Sequence, residues 1–130
     1  MMDPLSRQVW DAYLKLPKLL EEPFSILDAG CLCGFLNHHL KKHKKDYTYT
    51  GIDKWAEAIE VGLEFAPLAD LRVADFLTFG GEQFDYVWCC NIKWDADSLQ
   101  QAKKNLIPLA RRACIFVHPG SQMDIYKNGD

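Results

Sequence analysis

The sequence has no long hydrophobic run. The longest, "ACIFV" at 113–117, falls far short of the roughly 20 residues that a membrane-crossing helix needs. It has little net charge, −3 over 130 residues, and so no general electrostatic pull toward nucleic acid. The opening "MMDPLSRQVW" lacks the basic and apolar regions of a signal peptide. No internal repeat and no low-complexity linker divides the chain. Cysteine is present five times, an odd number, inside segments that read as strands and turns. That excludes a disulfide framework and predicts reduced thiols. Cys31 and Cys33 lie in one segment and Cys89 and Cys90 in another, but no outer Cys-x-x-Cys pair exists, so no metal site is expected. These absences predict one cytoplasmic domain with no membrane segment.

Two phosphate-binding signatures are also missing. Counting from Gly30, a dinucleotide turn of the form G-x-G-x-x-G needs glycine at positions occupied by Leu32 and Phe35. The Gly-Lys-Ser/Thr ending of a phosphate loop is absent as well.

What is present is enough to build a core: 48% of the residues are hydrophobic and 12% aromatic. Asp3-Pro4 marks a helix start, with Val9, Tyr13 and Leu16 on one face and a break or kink expected at Pro17. Strands are predicted at 24–28, 47–53, 68–75, 84–90 and 113–118, and helices at 35–44, 55–65 and 96–107. Strands that alternate with helices, each a nearly continuous apolar run, predict a parallel sheet covered on both faces. The N-terminal helical segment is residues 1–23, the core 24–118 and a polar tail 119–130. In such sheets, ligands lie beyond the carboxyl ends of the strands.

Those ends carry Asp28, Asp53 and Asp75, and the first is followed by a turn holding Gly30 and Gly34. An acid two residues before the first glycine suits a ligand with a positive group. Asp53 lies 19 residues past Gly34, where a carboxylate can grip two ribose hydroxyls. The segments "ILDAGCLCG", "YTGIDKWAEAIEVG", "VADFLTF" and "FDYVWCCN", in this order, resemble the motifs of the class I S-adenosylmethionine-dependent methyltransferases, over roughly residues 24–118. The resemblance implies a Rossmann-like α/β three-layer sandwich with a parallel five-stranded sheet in the order 3-2-1-4-5. It implies S-adenosylmethionine as cofactor, with Gly30 and Gly34 against its methionine part, Asp28 toward its ammonium, Asp53 on the ribose, Asp75 on the adenine amine and Phe76 on the adenine ring. Trp55 or Ile52 would flank the adenine or ribose, or pack in the core.

The chain departs from the family pattern at Leu32, which replaces the middle glycine and is expected to narrow the pocket or alter the turn. It also ends before the usual hairpin of strands six and seven, as a minimal or truncated member would. Asn91, Lys93 and His118 stand where the family's substrate-facing residues lie, His118 as candidate base. The methyl acceptor is unknown. A non-catalytic S-adenosylmethionine-binding subunit and a nucleotide-binding oxidoreductase are the alternative functions. The apolar fifth strand is expected to be a bare sheet edge, buried in a homodimer or under the folded-back tail. The basic run "NHHLKKHKKDY" at 37–47 reads as a solvated helix end, with nucleic acid as the sharper alternative.

Overall fold

The computed structural model describes residues 4–90 and 95–127, with side chains from Trp10 onward. The helices are α1 (Pro4–Leu19), α2 (Phe35–Leu40), α3 (Ala56–Phe65) and α4 (Ala96–Leu106). The strands are β1 (Phe24–Ala29), β2 (Tyr47–Asp53), β3 (Asp70–Val73), β4 (Phe84–Cys90), β5 (Ala110–Val117) and β6 (Met123–Lys127). They form one sheet in the order β3-β2-β1-β4-β5-β6. All neighbours run parallel except β5 and β6. This is the expected Rossmann-like α/β architecture, with a sixth strand added.

Alternation along the central strands feeds two cores. On one face Ile26, Trp88 and Ile115 pack with Leu16 of α1 and with Leu36 and Leu40 of α2. On the other, Leu27, Val87 and Phe116 meet Ala102 and Leu106 of α4. Cys89 and Cys90, adjacent in β4, go to opposite faces accordingly. All five cysteines are free, and the described residues contain no metal-ligand cluster.

Besides β3, which is shorter than expected at Asp70–Val73, three features differ from the sequence expectation, each for a physical reason. Pro17 neither breaks nor ends α1, which continues to Leu19. Proline removes the N–H that would reach the carbonyl four residues back. That carbonyl, on Tyr13, instead accepts from Nε2 of His39 at 2.8 Å. Next, α2 stops at Leu40, and the lysine run leaves it in tight turns closed by His43 N–H and Lys44 N–H on the Leu40 carbonyl. Finally, β5 starts early because Arg111 and Arg112 lie in extended chain, with their guanidinium groups 3.3 and 3.7 Å from Asp85.

The largest correction concerns the tail. The fifth strand is not an edge: a turn through Pro119–Ser121, with Gly120 at φ 82°, returns the chain as β6. β6 pairs with β5 from Ala113↔Lys127 to Val117↔Met123. The homodimer expected through a bare β5 therefore loses its motive, and the folded-back tail is the arrangement found.

Candidate functional site

The three carboxylates sit at the carboxyl side of neighbouring strands and rise in steps. Asp28 pairs in register with Gly51, Asp53 with Val73, and Asp75 follows the end of β3 by two residues. The turn after β1 is fastened to β2 by its backbone: the N–H groups of Gly30 and Cys31 both donate to the Ile52 carbonyl, at 2.8 and 2.9 Å. Gly30 and Gly34 have φ of 81° and 89°, in the left-handed region where a side chain is strained. Leu32 joins them there at φ 53°. Its side chain is 46% exposed, so the departure from glycine is met by a strained backbone and an outward side chain rather than a filled turn.

Asp53 holds that strained residue. Its Oδ2 accepts from Leu32 N–H at 2.9 Å and its Oδ1 from Trp55 N–H at 2.8 Å, so one carboxylate ties the glycine turn to the start of α3. Each oxygen keeps a lone pair for a ligand hydroxyl. Trp55 stands at the rim, 55% exposed, its indole N–H on Glu57 Oε2 at 3.0 Å. Ile52 is fully buried and belongs to the core, which removes it from the ligand side.

Asp28 is 4% exposed and accepts from the Tyr49 hydroxyl at 2.5 Å. Burial pushes its carboxyl up to about 7, against the opposing pull of the Tyr49 hydrogen bond, and the nearby Asp53 charge adds to the rise. Burial likewise raises Tyr49 and the Cys31 thiol. Sequence reasoning missed Tyr49 and the residue that admits it. A Cβ on Gly51 would stand 2.8 Å from the Tyr49 hydroxyl and 2.9 Å from Cys31 Sγ. Glycine inside a strand is the available signal, since it marks close approach by another group.

Asp75 turns its own loop: Oδ1 takes Leu77 N–H at 2.9 Å, and its carbonyl takes Thr78 and Phe79 N–H. Phe76 lies 3.5 Å from where a Gly30 Cβ would be, so the first and third motifs meet at a glycine. Asn105 of α4, also missed, donates to the carbonyls of Phe76 and Phe79 at 2.7 and 2.9 Å. His118, just past the end of β5, is not among these groups, because β4 separates β5 from β1. Its Nε2 lies 2.8 Å from Asp124 Oδ2 on β6. Asn91 and Lys93 lie outside the described residues.

Residues 27–115 match the family described as "Methyltransferase domain". The chain belongs to that family. Among solved structures similar to this methyltransferase domain is the N-methyltransferase NodS from Bradyrhizobium japonicum WM9 in complex with S-adenosyl-L-homocysteine. It is 20% identical with a TM-score of 0.69, over 88% of this chain and 62% of that one. DesVI of Streptomyces venezuelae is 17% identical with a TM-score of 0.69, over 87% and 51%. The plantazolicin methyltransferase BpumL, in complex with SAH, is 22% identical with a TM-score of 0.62, over 88% and 45%. The chain thus spans less than two thirds of each. Among curated proteins, none matches.

Proposed function

We propose that the chain binds S-adenosylmethionine and transfers its methyl group to a nucleophilic acceptor. The observation that carries this reading is the set of three strand-end acids stepped around a left-handed glycine turn, in a chain of the methyltransferase-domain family. The donor set fits the cofactor. Gly30 and Gly34 leave backbone accessible, Asp53 accepts from ribose hydroxyls, and Asp75 keeps Oδ2 for the adenine amine beside Phe76. Asp28, close to neutrality in its buried site, would be drawn to its charged form by an ammonium group.

The cofactor supplies an electrophilic methyl on a sulfonium, so the chain's task is chiefly to align acceptor and methyl. His118 is suited to take a proton from the acceptor. A carboxylate can only accept, so Nε2 carries the hydrogen toward Asp124, and in a neutral ring Nδ1 is then the nitrogen that takes the proton. Asn91 and Lys93 are proposed to line the acceptor side. Five unpaired cysteines support the cytoplasmic location expected from the sequence. No helix among the described residues is long and apolar enough to cross a membrane.

Calorimetry tests the reading. S-adenosylhomocysteine should bind and NAD should not, which separates it from a nucleotide-binding oxidoreductase. Asp53→Ala removes charge-assisted bonds of about 1.5–3 kcal/mol, a roughly 10- to 150-fold loss of affinity. Unchanged affinity would refute the ribose assignment. His118→Ala should slow methyl transfer and leave S-adenosylhomocysteine affinity intact. A variant that turns over normally is no support for His118 as base. Binding without release of S-adenosylhomocysteine across acceptors would favour a non-catalytic binding subunit.

A further inference from the structure

At the opposite end of β2 from Asp53, an open depression of about 780 Å³ lies between the turns after α2 and the connection from α3 to β3. Tyr47, at the far end of its floor, lies six strand positions from Asp53, about 20 Å, and the floor runs on through Tyr49 and Thr50. One wall carries Lys41, Lys44 and Lys45, the other Phe65 and Leu68. Phe65 is 84% exposed and Leu68 fully exposed. Neither Lys41 nor Lys45 has an ion pair among the described residues. The acid in the depression, Asp70, is already engaged by Arg72 and by the Thr50 hydroxyl, both at 2.9 Å. Glu22 offsets part of the charge of Lys44 and Lys45, and Lys44 Nζ donates to the Leu20 carbonyl at 2.6 Å. The wall still carries three lysines against that one acid, so positive charge faces exposed apolar side chains across one concavity, in a chain whose net charge is −3.

We propose that this depression is a docking surface for an acidic protein segment that carries apolar anchor residues. Lysines are mobile point charges, without the planar fork that selects a single phosphate, so they suit a run of carboxylates. Phe65 and Leu68 supply the apolar contact that a purely electrostatic site lacks. Nucleic acid is disfavoured: three lysines neutralise few phosphates, and the chain as a whole is negative. The lysines and the apolar anchors are not among the cofactor residues, although the floor they flank runs through Tyr49, whose hydroxyl bonds Asp28, so the surface selects a partner or a protein acceptor rather than taking part in the chemistry.

Fluorescence anisotropy on the whole chain tests this with a labelled dodecapeptide alternating Glu and Leu, an all-Glu dodecapeptide and a dodecauridylate. The Glu/Leu peptide should bind best, and its affinity should fall as salt rises. Lys41→Glu with Lys45→Glu, and separately Phe65→Ser with Leu68→Ser, should each weaken it about tenfold or more. Both pairs are exposed and should leave S-adenosylhomocysteine affinity unchanged, so the result stands independently of the methyltransferase reading. The proposal is overturned if the Glu/Leu peptide fails to bind at millimolar concentration, or if either pair of variants binds it normally. It is overturned equally if the oligonucleotide binds more tightly, or if sedimentation shows the same residues joining two copies of this chain.

Discussion

Asp28 is the residue where packing and chemistry oppose one another most directly. It is buried beside Tyr49, with Tyr13, Cys31, Cys89, Cys90 and Asp53 in its electrostatic surroundings. Its folded-state value of about 7 lies above the ordinary carboxylate value, so the folded chain holds a proton that the unfolded chain releases. The resulting stability is complete below about pH 4 and is lost as pH rises to about 7, beyond which Asp28 adds no further slope. Asp28→Asn keeps an acceptor for the Tyr49 hydroxyl and removes the titration. Urea melts should therefore show the variant gaining on the natural chain between pH 4 and 7.5, by up to ~4 kcal/mol. Parallel curves across that range would show that Asp28 does not titrate there. The acids themselves were legible in the sequence, because their strand-end positions and the spacing to the glycines are local facts. The phenol that holds Asp28 was not, since Tyr49 reaches it only through the β1/β2 register and the missing side chain of Gly51.

At the scale of elements, the loop after β3 is positioned from two sides. Asp75 closes its turn, and Asn105 reaches across from α4 to bind it at two carbonyls. Asn105→Asp keeps the size of the side chain and removes both donors. It should cost about 1–3 kcal/mol in denaturant unfolding and speed amide exchange in the segment that follows Asp75. It should also weaken S-adenosylhomocysteine binding, because Asp75 and Phe76 ride on that loop. Full stability with normal affinity would show the loop to be fixed without it. β2 and β4 were read from the sequence with their observed ends, since aromatic and β-branched residues mark β2 and the apolar "YVWCC" marks β4. β3 was read too long. It is an edge strand whose polar "DLRV" is held by the Arg72–Asp70 pair, and such a strand carries little hydrophobic signal. Arg111 and Arg112 hid the start of β5 in the same way, since their ion pairs to Asp85 depend on a distant strand.

For the molecule as a whole, β6 decides how the sheet ends. Without it, β5 would expose unpaired backbone groups along "ACIFV", a strand with no charge to repel a second chain. β6 exchanges that edge for a short one bearing Asp124 and Lys127. It is fastened at both ends: His118 meets Asp124 at 2.8 Å, Tyr126 packs edge-on to Phe116 at 6.0 Å, and Lys103 of α4 lies 5.4 Å from the Tyr126 ring. "MDIYK" is short and sits in a polar tail, so it did not read as a strand alone, and its pairing is supplied by the turn that precedes it. Removing residues 122–130 should therefore uncover β5 and drive self-association. In sedimentation equilibrium at micromolar concentration the full chain should appear as one species of 14.9 kDa, and the shortened chain as dimers or larger species. A shortened chain that stays monomeric and equally stable would mean that β5 tolerates exposure and that β6 serves chiefly to hold Asp124 against His118. Asp124→Asn separates the two roles, since it leaves the strand paired while weakening the carboxylate's hold on the imidazole. The whole-sheet argument requires that this variant remain monomeric.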